Sequence, residues 1–211
     1  MLRSLLAIGG FALGGTTAAF LSAGHAPSAR PVASAAHAAA IASDRVTLPQ
    51  ASTRQALAKG LILHPVSSIL AVPGRMQYGD YRWDDKGVAK GLTWVRVDLK
   101  SQIISIFRGG DEIGTAVILY GADGLATPTG KFPILAKLKD HRSQTYDAPM
   151  PYTLRLTADG VSIHGSNVRW GYATHGCVGV PTAFAAKLFE NVSVGDDVLI
   201  VGTAGANSRR A

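Results

Sequence analysis

The chain has 211 residues, a formal net charge of +7 and one cysteine. That length holds one domain with a sizeable core plus shorter flanking segments, and a pI near 9.8 suits an anionic partner: nucleic acid, acidic lipid headgroups or an acidic cell-wall polymer. The positive charges are scattered singly, with Arg209-Arg210 the only adjacent pair, and aromatic and basic residues do not interleave in the manner of RNA binders, which argues against nucleic acid. A lone cysteine forms no intramolecular disulfide and is neutral about redox compartment.

Met1-Leu2-Arg3 places one positive charge ahead of an uncharged run from Ser4 to Gly24 rich in Leu, Ala, Phe and Gly, the pattern of an export segment. A cleaved signal over residues 1–25 and an uncleaved membrane anchor through residues 4–24 both fit, because glycine and threonine dilute the run below the ideal for a span. No cysteine follows it, which excludes a lipoprotein. Residues 26–44, made mostly of Ala, Ser, Pro and His, read as a flexible linker. Residues 45–92 form an N-terminal extension of unknown role. Within it, Ser52 to Gly60 reads as a short helix with Ser52 as N-cap, Gln55 completing a capping box and Gly60 as its stop. Ile62 to Val72, which holds Pro65, reads as a strand or as irregular packing.

From Thr93 the pattern becomes strand-like. Trp94 to Leu99, Ile103 to Arg108 and Glu112 to Tyr120, separated by Lys100-Ser101-Gln102 and Gly109-Gly110-Asp111, predict an antiparallel meander. Lys131 to Lys137, Tyr152 to Thr157 and Val161 to His164 continue it, the last two joined at Ala158-Asp159-Gly160. One helix is expected near Thr182 to Glu190, with Thr182 as N-cap, and a strand at Val198 to Val201. The fold class is therefore mainly β, a sandwich or barrel with one short helix after the cysteine loop; residues 203–211 read as a disordered tail.

Chemistry concentrates in Ser162-Ile163-His164-Gly165-Ser166 and Thr174-His175-Gly176-Cys177-Val178-Gly179-Val180-Pro181. A lone thiol flanked by two histidines looks like a nucleophile with its base, and a nearby imidazole can draw a cysteine pKa from about 8.5 toward neutrality. The same residues also suit a buried structural thiol with two core histidines. Their clustering among Gly, Ser, Thr and Asn, with few apolar neighbours, favours the reactive reading. His164, His175 and Cys177 could also ligate zinc, but no CxxC, HExxH or HxxxH accompanies them, and neither metal nor cofactor is expected.

Together with Thr127-Pro128-Thr129-Gly130-Lys131-Phe132-Pro133-Ile134, these stretches resemble the L,D-transpeptidase catalytic domain (YkuD type), in family order and over residues 93–202. The resemblance implies a β-sandwich that acts on peptidoglycan outside the bacterial membrane, hence a periplasmic location, in keeping with an export segment. It implies that Cys177 attacks the carbonyl between diaminopimelate and the terminal D-Ala of a tetrapeptide stem donor. The thioester would then pass to a diaminopimelate amine acceptor on a second stem, giving a 3-3 cross-link, or would attach a protein to the wall. His164 would be the base, the Gly165 carbonyl its orienting partner, Gly176 and Cys177 the oxyanion N–H donors, and His175 and Thr174 shapers of the loop. Tyr152 would line the donor site or pack, and Thr127 to Gly130 would form a structural turn near the cleft.

Two departures from the family pattern stand out. The stretch from His164 to Thr174 is short, and Gly179 occupies a position that is commonly Arg. Arg169 or Arg155 could substitute for that charge. An L,D-carboxypeptidase or wall-editing hydrolase using the same Cys-His site, and a catalytically silent wall-binding protein, are the competing functions.

Overall fold

In the computed structural model, residues 45–122 and 124–202 are described. The export segment, the linker and the tail expected from sequence lie outside them. Among the described residues, twelve strands and two short helices follow in chain order. Alternation in the meander decides how the layers form. In β4 (Thr93–Asp98), Val95 and Val97 face one side and Trp94, Arg96 and Asp98 the other, yet nearly all are buried, so this strand is covered on both faces.

β4 pairs antiparallel with β5 (Ile103–Arg108), and β5 with β6 (Asp111–Val117). Asp98 closes the first turn by accepting the Lys100 and Ser101 N–H groups at 3.0 and 3.1 Å. Gly109 and Gly110, both at positive φ, close the second as a tight hairpin. The full sheet runs β1-β2-β6-β5-β4-β12-β7, with β3 also on β6. β7 (Gly130–Pro133) and β12 (Asp197–Val201) complete it beside β4.

Residues 45–92 build the other side of this sheet. β1 (Arg45–Thr47) pairs with β2 (Ser68–Leu70), β2 meets β6 at Asp111, and β3 (Tyr81–Trp83) pairs with Gly114 to Ala116. Arg45 Nε donates to Ser68 Oγ at 2.8 Å, and Glu112, almost fully buried, accepts the Leu70 N–H at 2.7 Å. Helix α1 (Gln50–Ala58) and the segment after it cap the outer face, where Ala56, Ile62 and Val66 pack with Trp94 and Phe107. The expected capping box is not formed. Pro49 occupies the N-cap and Ser52 falls inside the first turn, since proline pre-sets the backbone for helix entry. At the other end Leu61 N–H reaches Ala56 O and Gly60 N–H reaches Leu57 O, a Schellman closure at the expected Gly60.

The second sheet, ordered β11-β10-β9-β8, holds β8 (Ala136–Arg142), β9 (Pro149–Arg155), β10 (Ser162–Ser166) and β11 (Val178–Pro181). The expected single strand over Lys131 to Lys137 is two strands in different sheets. At Ile134 the N–H still reaches Asp196 O, whereas the next residue, Leu135, donates to Arg155 O, so the chain changes sheets there. Helix α2 (Thr182–Asn191) follows β11 directly. Its N-cap is Pro181, not Thr182, and no side chain caps it. Phe184, Ala185 and Leu188 enter the core between the sheets with Val95, Ile104, Ile106, Leu154, Ile163, Val178 and Val180; burying Phe184 alone contributes about 3 kcal/mol.

Candidate active site

β10 and β11 run parallel, with Ile163 opposite Val178 and His164 opposite Gly179. Cys177 immediately precedes β11, two residues before Gly179, which lies opposite His164 and offers no side chain there. The His164 Nδ1–H donates to Gly165 O at 3.0 Å. A carbonyl can only accept, so in the neutral ring the proton sits on Nδ1 and Nε2 keeps a free lone pair. The half-buried thiol points its hydrogen at Gly160 O, 3.8 Å away. Among the described residues no hydrogen bond joins it to the imidazole.

A clamp of hydroxyls fixes the cysteine backbone. Thr174 Oγ1 donates to Cys177 O at 2.5 Å. Thr127 Oγ1 accepts the Gly121 N–H at 2.9 Å and lies 3.5 Å from the same carbonyl. Thr174 is itself held to the segment after β6, its N–H on Tyr120 O and its C=O taking the Ala122 N–H. Gly121 lies so close that a Cβ there would sit 2.0 Å from Leu125 O and 2.9 Å from both Gly176 N and Thr127 N. Gly176 itself has φ +104, a conformation open mainly to glycine.

Burial is the leading electrostatic cause at both Cys177 and His164. It pushes the Cys177 thiol above the ordinary cysteine value; the nearby Asp159 carboxylate adds to this and the Ser162 N–H opposes it. It pulls His164 below the ordinary histidine value, with the bond to Gly165 opposing and the charge of His141 adding to the drop. The resting pair is a neutral thiol and a neutral imidazole. The lowering of the cysteine pKa expected from sequence is absent, because desolvation penalises the thiolate and no imidazolium is hydrogen-bonded to it.

The L,D-transpeptidase catalytic domain model matches residues 92–200, just over half of the chain. The chain belongs to this family. It is 28% identical over 123 residues to L,D-transpeptidase 1 of Mycobacterium tuberculosis, covering 49% of this chain and 48% of that protein, so it spans about half the length of the curated relatives it matches. Among solved structures, it is similar to an L,D-transpeptidase from Stackebrandtia nassauensis (29% identity, 55% of this chain and 58% of that one, TM-score 0.49). It is also similar to an L,D-transpeptidase from Enterococcus faecium (25% identity, 53% and 50%, TM-score 0.48).

In this member of the L,D-transpeptidase family, the other residues singled out from sequence make contacts of their own. His175 is exposed and stacks on Tyr146 from the β8–β9 connection, with ring centroids 4.1 Å apart. Tyr152 packs edge-on against Phe189 of α2 at 5.8 Å and holds φ +56, a strained conformation for an aromatic residue. Arg169 is exposed and bonded to Asn167 Oδ1 at 2.9 Å, and Arg155 turns its guanidinium to Ala158 O. A side chain at Gly179 would meet Ser166 Cβ at 3.1 Å and Leu119 Cβ at 3.4 Å, so the neighbours of that position have closed around glycine. Sequence reasoning missed Gly121 and Tyr146, and gave Thr127 only a place in a turn. Its position in the Thr127-Pro128-Thr129-Gly130 stretch was the available signal. No cluster of three or more His, Cys, Asp or Glu side chains suited to a metal occurs among the described residues. A cavity of about 390 Å³ between α1 and the residues after β1 contains none of these site residues.

Proposed function

We propose that the protein is a peptidoglycan L,D-transpeptidase that forms 3-3 cross-links through a Cys177 thioester, with residues 93–202 as its catalytic domain and residues 45–92 as a supporting edge of the same sheet. The observation that carries this reading is an imidazole locked in its Nδ1–H tautomer by Gly165 O, opposite Gly179 of β11 and so two residues in register from the Cys177 thiol. A free Nε2 can accept only one proton, and the Sγ–H is the one the reaction must remove.

His164 Nε2 takes the Sγ proton as the sulfur attacks the carbonyl between diaminopimelate and D-Ala. The oxyanion that forms is met by the N–H groups of Gly176 and Cys177. Collapse breaks the C–N bond, His164 returns its proton to the departing D-Ala amine, and a thioester remains. A diaminopimelate side-chain amine then attacks the thioester, with His164 accepting its proton and handing it to sulfur. Thr174 and Thr127 keep the loop in the shape these steps need, and His175 braces it through Tyr146. The reaction places the protein outside the cytoplasmic membrane, as the export pattern of its first residues suggests.

Mass spectrometry of disaccharide-tetrapeptide incubated with the protein and with its Cys177→Ala form tests this. Loss of D-Ala with dimer formation in the intact protein only supports the transpeptidase. Tripeptide without dimer assigns water as the acceptor and makes the protein an L,D-carboxypeptidase. No change with either protein overturns the reading.

A further inference from the structure

Among the described residues, the two most exposed aromatic side chains stand on one loop. Trp170 and Tyr172, 64% and 61% exposed, stand on the loop that leads into Cys177, and half-exposed Tyr146 lies against the same loop through His175. Exposed rings of this size on a stable loop need a reason. These are held rather than dangling. Val168, 4% exposed, plugs the start of the loop into a cluster with Val117, Leu119 and Tyr78. The Tyr172 N–H bonds to Arg169 O at 3.3 Å, and Gly171 at φ +79 gives the turn its tip. Tyr78 braces the indole edge-to-face at 5.7 Å, and is itself anchored by its hydroxyl, which donates to Gln102 Oε1 at 3.1 Å.

We propose that this turn is a saccharide platform that binds the glycan strand of peptidoglycan, a β-1,4-linked chain of N-acetylated amino sugars, beside the peptide stem whose carbonyl reaches Cys177. The inference rests on the transpeptidase reading for its choice of sugar. A pyranose has apolar C–H faces and a polar rim. The turn offers the complement: a flat indole fixed by Tyr78 and the Tyr172 ring on a hydrogen-bonded turn, with the Arg169 guanidinium held at its start by Asn167 and the Tyr172 hydroxyl at its end. Rigid Trp and Tyr surfaces bind at little entropic cost, which suits a repetitive ligand met one unit at a time. The platform is continuous with the reacting centre, because the loop ends at Thr174, whose hydroxyl holds Cys177 O. Three extended residues of stem span about 10 Å, so a sugar attached to a stem held at Cys177 lies on the rim of the site, the region this loop occupies.

The test uses the full chain carrying Cys177→Ala, titrated calorimetrically with peptide-free glycan strands. Measurable binding is expected, weakened about fivefold or more by Trp170→Ala, similarly by Tyr172→Ala, and largely restored in Trp170→Tyr. Because both rings are exposed, the variants should melt with the parent protein, and the melt is measured alongside. Absence of binding in the parent, or equal binding in all variants, overturns the proposal. In parallel, the intact protein is given tetrapeptide with and without its disaccharide, and the preference for the sugar-bearing form should fall about fivefold in Trp170→Ala. A preference unchanged by that substitution also overturns the proposal. Glycan binding with no D-Ala release from either substrate supports the platform and overturns the reaction assigned to Cys177.

Discussion

Replacing Thr127 by valine removes one hydroxyl and almost no volume, so its effect isolates a hydrogen bond from packing. The side chain is 4% exposed, and its oxygen is the acceptor for the buried Gly121 N–H at 2.9 Å. The valine leaves that N–H without an acceptor inside the protein, which costs about 1–3 kcal/mol. The Cys177 carbonyl loses less, because Thr174 Oγ1 still donates to it at 2.5 Å and the Thr127 contact is long at 3.5 Å. A loss of about 2 kcal/mol lowers the melting midpoint of a domain of this size by about 4–8 °C. Scanning calorimetry measures this, with urea unfolding to show that the m-value is unchanged. Thr127→Ser, which keeps the oxygen, is the control and should lose much less. A valine variant melting within about 1 °C of the parent, or a serine variant as damaged as the valine, would refute the assignment of the hydroxyl as the Gly121 acceptor.

Gly121→Ala should be more severe, about 3 kcal/mol or more, because the atoms a new methyl would strike, Leu125 O, Gly176 N and Thr127 N, are backbone and cannot swing aside; a melt within about 2 °C of the parent contradicts this. With the thiol raised and His164 lowered by burial, alkylation by iodoacetamide should be slow at pH 7 and accelerate only above about 8.5, the ordinary thiol value. In the proposed mechanism release of D-Ala needs neutral His164, so it should hold through pH 7 and fall only below about 6.5; rapid labelling at pH 6 would show a thiolate–imidazolium pair instead. A chain starting at Thr93 should fail to fold, since it strips β2 and β3 from β6 and uncovers Trp94 and Phe107. Cooperative unfolding of that fragment by calorimetry would be the contrary result.

The meander from β4 to β6 was legible because its turns carry their own chemistry, an aspartate that accepts two backbone N–H groups and a pair of glycines at positive φ. The thiol and its histidine were legible as residue types. What was hidden depends on partners far along the chain. β8 reads Ala-Lys-Leu-Lys-Asp-His-Arg and is largely exposed; its strand character comes from pairing with β9, not from an apolar pattern. β11, Val-Gly-Val-Pro, is buried throughout, yet its glycine and proline read locally as loop, and only the parallel pairing with β10 makes it a strand. The three short strands of residues 45–92 exist through β6 and each other. The direction of the cysteine pKa could not be read either, because a neighbouring histidine lowers it only when charged and in contact, whereas burial acts in every case.

A thiol that rests protonated and half-buried also has a particular standing toward oxidants. Oxidation to sulfenic acid proceeds through the thiolate and needs access, and this chain has no second cysteine to resolve a sulfenate by forming a disulfide. In the mechanism proposed for Cys177, deferring ionisation until His164 takes the proton would keep the chain's only thiol in its least oxidisable form between turnovers.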